Sequence, residues 1–197
     1  MLSKLNRINA ANSVLFVCDV QQKFRPLIHK SETLIRKCNM LTETSKILNI
    51  PILVTEQYPK ALGVTVPEIN TTGSILFEKK LFSMMTPEVI TAFNDLKKTN
   101  VILCGIEAHV CVLQTALDLI DAGIDVHIVS DAISSQKPHD RSCALTKMRD
   151  IGCKVTTTES IIFELTKSAD HPNFKAISTL IKAENLQNDE FAATEFL

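Results

Sequence analysis

The sequence predicts an α/β domain of the three-layer α-β-α kind, a doubly wound parallel sheet between two layers of helices. Three observations carry that expectation. Six short apolar runs of strand length alternate with amphipathic helical patterns along the chain. The central runs, such as "SVLFVC" and "NVILCGI", are nearly continuously apolar, as strands buried on both faces must be. The chain of 197 residues, 45% of them hydrophobic, is long enough for one full-sized core. Right-handed crossovers then set helices on both faces of the sheet.

The first strand is expected at "SVLFVCDV" (13–20), and a helix over 31–48 carries apolar residues three and four apart. "PILVTEQ" (51–57) and "SILFEK" (74–79) read as the second and third strands, followed by a helix over 86–98. "NVILCGI" (100–106) is the most continuously apolar run, and the pattern "LQTALDLIDAG" after it gives a helix over 109–122 with Gly123 as its stop. "DVHIVSD" (125–131), a helix over 139–151, "CKVTTTE" (153–159) and a helix over 173–184 complete the alternation. Residues 185–197 are expected to form a loosely held tail or a partner-contacting arm.

Composition narrows the function. A net charge of -1 with acids and bases interspersed gives no reason to expect nucleic-acid binding. The longest apolar stretches are strand-sized, so no membrane span is expected. Six cysteines without a C-x-x-C pair suit a reduced, cytoplasmic protein. The start "MLSKLNRINAANSVLFV" has two basic residues and no acid before Asp19; it lacks a secretory apolar centre and leaves a mitochondrial presequence as the lesser expectation.

In a doubly wound sheet, ligands bind beyond the carboxyl ends of the strands. The first strand ends at Asp19, the third at Lys79 and Lys80, and the fourth leads to Cys111 in the first turn of the next helix. Alone, each has a bland reading as cap, solvated amine or core filler. Together they have a chemical logic. A helix N-terminus and a nearby ammonium stabilise a thiolate. A carboxylate can take the thiol proton and return it to a leaving group. Backbone N–H groups at the helix start can face a developing oxyanion.

The blocks "VLFVCDVQQKFRPLI", "ILVTEQYPKALGVTVPEI", "FEKKLFSM", "ILCGIEAHVCVLQTALDL", "VHIVSDAISSQKPHDRSCALTKMRDIG" and "TTTESIIFEL" resemble the isochorismatase-like cysteine hydrolase superfamily, and most narrowly its isochorismatase domain-containing proteins. The resemblance covers a core of about 12–184 within a single domain, 1–197. It implies a six-stranded sheet of order 3-2-1-4-5-6 and a catalytic triad of Asp19, Lys79 and Cys111. Lys79 is preferred to Lys80 because in the family two residues stand between the lysine and an aromatic–serine pair, here Phe82-Ser83. It further implies a cis peptide at Ile106–Glu107 and an oxyanion hole of the Glu107 and Cys111 N–H groups. Family members commonly form dimers or larger rings, so a homo-oligomer is expected, with "LFSMM", "IIFEL" and "FAATEFL" as candidate contacts.

Nicotinamidases of the superfamily add a metal site after the second strand. The segment "TEQYPKALGVTVPEI" holds no histidine, and the five histidines (29, 109, 127, 139, 171) show no ligand spacing. No metal and no cofactor are therefore expected, and His127, inside a strand, reads as a packed core residue. Phe24, Gln57, Tyr58 and His109 are candidate pocket residues. The expected function is hydrolysis of an amide or related C–N bond of a small molecule. The alternatives are vinyl-ether hydrolysis with Asp19 as the acid, and a weakly catalytic binding or scaffold protein.

Overall fold

The computed structural model describes residues 7–187 and Phe191. The presequence-like residues 1–6 and most of the candidate arm "FAATEFL" lie outside the described residues. Six strands, β1 (Ser13–Cys18), β2 (Ile52–Gln57), β3 (Ile75–Lys79), β4 (Asn100–Ile106), β5 (Asp125–Ser134) and β6 (Lys154–Thr156), form one parallel sheet in the order 3-2-1-4-5-6. Among the described residues seven α-helices accompany it: α1 (Ser31–Ile47), α2 (Pro59–Leu62), α3 (Pro87–Leu96), α4 (Leu113–Asp121), α5 (Pro138–Asp150), α6 (Thr158–Thr166) and α7 (Phe174–Glu184).

Strand alternation divides the core into two apolar layers. Leu15 and Val17 of β1 join Val54, Ile102 and Val129 on the face covered by α1, α6 and α7. Val14, Phe16 and Cys18 join Leu53, Leu103 and Ile128 on the face covered by α3, α4 and α5. Burial of both faces is why these runs are continuously apolar. β1 sits at the centre, paired to β2 through Leu15–Ile52 and to β4 through Ser13–Asn100 and Cys18–Gly105.

Several expected boundaries are corrected. β1 stops at Cys18 rather than at residue 20, because Asp19 takes a left-handed backbone (φ 55°) and turns the chain out of the sheet. β5 runs on to Ser134 after a register shift opposite Leu103 and Gly105. The last strand covers only Lys154–Thr156, because the next two threonines start a helix. Thr157 accepts from the Ser160 N–H as N-cap, and Asp131 accepts from the Thr158 N–H (2.8 Å) and hydroxyl (2.9 Å). This helix, α6, takes up most of "IIFEL": Ile161, Ile162 and Leu165 are buried, leaving Phe163 exposed.

Candidate active site

Three of the strands that end at the site give way to a non-glycine residue in the left-handed region. Asp19 follows β1 (φ 55°), Tyr58 follows β2 (φ 36°) and Glu107 follows β4 (φ 55°). Such conformations cost about 1 kcal/mol or more and persist where surrounding contacts impose them. Here those contacts are visible. Gln21, buried just beyond β1, donates to the Gln57 (3.0 Å) and Gly63 (2.6 Å) carbonyls and accepts from the Gln57 N–H (2.8 Å), tying the turn after β1 to the turn after β2. Gly105 (φ 133°) lets β4 close on β1, since a Cβ there would lie 2.2 Å from the Cys18 carbonyl oxygen.

Asp19 and Lys79 are buried in direct contact. Lys79 Nζ donates to Asp19 Oδ2 (2.6 Å), while Asp19 Oδ1 accepts from the Thr55 hydroxyl (2.8 Å). The ammonium is also within reach of Gln57 Oε1 (2.7 Å) and the carbonyls of Phe82 (2.9 Å) and Leu81 (3.1 Å). Four acceptors around three N–H donors hold the amine in its charged form. Burial alone would lower its pKa, but the neighbouring Cys18, Asp19 and Cys111 groups and the Asp19 hydrogen bond outweigh that and raise it. Lys79 is thus suited to supplying fixed positive charge rather than to shuttling protons.

Cys111 stands in a π-helical turn (Ala108–Val112) that leads into α4, not in a regular first turn. Cys111 is 6% exposed, and it is close enough to Lys79 and Cys18 to help raise the pKa of each. Cys18 Sγ in turn lies 3.5 Å from Asp19 Oδ2. Burial pushes the Cys18 thiol well up, with Cys111 and Asp19 adding to the shift, so Cys18 stays protonated between the acid and Cys111. Cys18 is not among the site residues expected from the sequence, and the signal for it is its place beside Asp19 at a strand end.

Among the described residues no peptide bond is cis, which corrects the expectation at Ile106–Glu107. The chain reverses instead through the left-handed Glu107 (φ 55°, ψ 63°). A cleft of about 640 Å³ opens above Cys111 and is lined by Phe24, Gln57, Tyr58, Phe82, Glu107 and His109, all six in its wall. The four candidate pocket residues are thus brought together with Cys111 and Glu107. Gln136, Lys137 and Asp140, also on the wall, went unread, although "SSQKPHD" follows the fifth strand and the same carboxyl-edge rule points to it.

His127 is buried in β5, as expected of a core residue, and its pKa is pushed down to about 4 by burial and the charge of Lys154. Among the described residues no group of three or more His, Cys, Asp or Glu side chains is arranged to hold a metal ion.

Known proteins give the same fold and chain-long similarity. The family model of the isochorismatase domain matches residues 13–160. The Phytophthora sojae protein named secreted isochorismatase effector Isc1 is 48% identical over 187 residues, covering 91% of this chain and 89% of its own. Isochorismatase domain-containing protein 2 of Danio rerio is 43% identical over 181 residues, covering 91% and 92%. A solved Caenorhabditis elegans structure, described as MAR1 ribonuclease, superposes with a TM-score of 0.87 at 43% identity, covering 95% of this chain and 96% of that one. With three quarters of its length inside the family model and relatives this close, the chain belongs to the isochorismatase family and has its hydrolase fold.

Proposed function

We propose that this protein is a metal-independent cysteine hydrolase acting on an amide or related C–N bond of a small molecule. The observation that carries the reading is the buried Asp19–Lys79 pair (2.6 Å), joined through Gln57 to the cleft whose wall presents Cys111. Cys111 Sγ attacks the substrate carbonyl carbon, and the thiol proton passes to Asp19, directly or through Cys18. The Glu107 and Cys111 N–H groups receive the oxyanion. Asp19 returns the proton to the leaving nitrogen as the C–N bond breaks. Water then attacks the thioester, giving its proton to Asp19, and the acid leaves as the thiol is restored. Lys79 supplies the positive charge that favours the thiolate. The histidine-free segment after β2 supports independence from metal, so activity should survive a chelator; loss that zinc or iron restores would refute this.

The test is a hydrolysis screen over small amides, ureides and isochorismate, run beside Cys111→Ala. Amide or ureide turnover that this variant loses supports the reading. Isochorismate turnover that survives Cys111→Ala and fails in Asp19→Asn supports vinyl-ether chemistry instead. A second reading, RNA hydrolysis, is favoured by the 43% identity to the Caenorhabditis elegans protein described as a ribonuclease. The cleft offers it less, because Glu107 and Asp140 on its wall oppose a polyanion that Lys137 alone would attract. RNA cleavage by the wild type, lost in Cys111→Ala, would favour it.

We also propose a single domain, a reducing compartment such as the cytoplasm, and self-association. The six cysteines form no disulfide, in keeping with such a compartment. No described helix is long and apolar enough to cross a membrane. The edge strand β3 exposes Ile75 and Leu76, and Leu81 and Phe82 follow it on the surface, an apolar strip suited to a second copy of the chain. Light scattering at micromolar concentration should give a mass above 22 kDa; a concentration-independent monomer refutes it.

A further inference from the structure

Glu107 enters the proposed mechanism only through its backbone, yet its side chain is the least satisfied group in the cleft wall. The residue is 8% exposed and borders the same cleft as Cys111. Its Oε1 accepts from Gln136 Nε2 (2.9 Å), while its Oε2 is buried without a hydrogen-bond partner. His109 Nδ1 lies 3.4 Å from Oε2, an ion pair only when the imidazole is protonated; that same Nδ1 lies 3.0 Å from the Ser135 hydroxyl, and His109 Nε2 is 3.9 Å from Asp140 Oδ2. A buried carboxylate oxygen left unpaired is costly, and a donor arriving with a ligand would remove that cost. The rest of the wall is mainly apolar, from Phe24, Leu62, Phe82 and Val110.

We infer that Glu107 Oε2 is the acceptor for an N–H donor of the substrate, so that this site selects small neutral or cationic molecules such as primary amides, ureides or amidines, and rejects carboxylates and phosphodiesters. The inference rests on Cys111 being the nucleophile and adds the substrate class. An anion in the cleft meets Glu107 and Asp140 against the single ammonium of Lys137, whereas the Lys79 charge is already engaged by Asp19. Specificity then comes as much from repulsion of the wrong ligand as from attraction of the right one.

Two reagents of nearly equal size test this. Iodoacetamide carries an N–H donor and no charge; iodoacetate carries a carboxylate. With either, Cys111 Sγ forms a bond to the methylene carbon, iodide leaves with the bonding pair, and the thiol proton goes to buffer. Labelling rates are read by mass spectrometry at Cys111 and at the exposed Cys143 of the same full-length protein. The iodoacetamide-to-iodoacetate ratio at Cys111 is expected to exceed that at Cys143 by roughly tenfold or more, and Glu107→Gln should bring most of that excess down. Fast labelling of Cys111 with no preference beyond that of Cys143 overturns the inference alone. A preference that survives in folded Glu107→Gln does the same, and if this variant fails to fold, the wild-type ratio decides. Slow labelling of Cys111 by both reagents overturns the nucleophile reading and this inference with it.

Discussion

The two edges of the sheet use the same backbone conformation for opposite ends. At the amino edge, left-handed residues follow helices: Asn49 after α1, Lys97 after α3, Gly123 after α4 and Gly152 after α5. These are ordinary helix terminations, where glycine or asparagine serves best and the side chain contributes little. At the carboxyl edge, three left-handed residues directly follow strands, and they are Asp19, Tyr58 and Glu107. There the side chain is the reason for the residue, and buried contacts such as those of Gln21 and Thr55 hold the backbone in place. A strained position with replaceable chemistry is a cap; one with irreplaceable chemistry marks a site.

Asp19→Gly puts that distinction to its hardest test. The change relieves the left-handed backbone but strands the Lys79 ammonium in the interior. We expect a net loss of about 3–5 kcal/mol in urea unfolding, together with a fall in hydrolysis of roughly a thousandfold or more. Unchanged stability would erase the difference between the edges. Gly105→Ala against Gly123→Ala comes next. A Cβ at 105 would lie 2.2 Å from the Cys18 carbonyl oxygen, whereas one at 123 meets nothing within 4 Å. We expect a cost of about 3 kcal/mol or more at 105, from overpacking, and about 1 kcal/mol at 123, from φ alone. Equal melting temperatures for the two variants would refute this.

The amino half of β5 holds a titration that sharpens the comparison further. His127 titrates at about 4 in the folded protein, below its ordinary 6.5. Between those values the unfolded chain binds a proton that the folded chain does not, so stability rises with pH across this window and is lost on acidification through it. The loss by the acid end is on the order of 3 kcal/mol. His127→Leu should flatten the denaturation midpoint between pH 6.5 and 4; an undiminished slope would assign the titration elsewhere. The smallest effect is Lys97→Gly, which should raise stability by about 0.5–1 kcal/mol through relief of φ 52°, read as a small upward shift of the urea midpoint.

The strands and their order were legible because parallel strands buried on both faces leave continuous apolar runs, as at Val14–Val17 and Val101–Leu103. Asp19, Lys79 and Cys111 could be singled out because the carboxyl edge of such a sheet is where chemistry gathers. Features that depend on one side chain meeting a distant partner were not legible. The "TTT" run favours a strand by propensity, yet Asp131, from another strand, helps turn its last residue into the start of α6. Gln21 looks like any surface amide until its three backbone partners are known. The π-helical turn at Cys111 has no periodicity of its own, being one turn long.

β1 lies between β2 and β4, and this has a consequence during synthesis. The first three strands to leave the ribosome can assemble as 3-2-1, but β1 then offers a bare backbone edge until β4 emerges about 80 residues after it, several seconds at typical elongation rates of about 5–20 residues per second. The residues beside that edge are among the most apolar in the chain. The nascent protein thus carries an adhesive, half-built sheet on the side where Gly105 will later fit against Cys18. It should be most open to chaperone capture before that strand arrives, and ribosome-bound chains ending near residue 95 should be held more strongly than chains ending beyond 150.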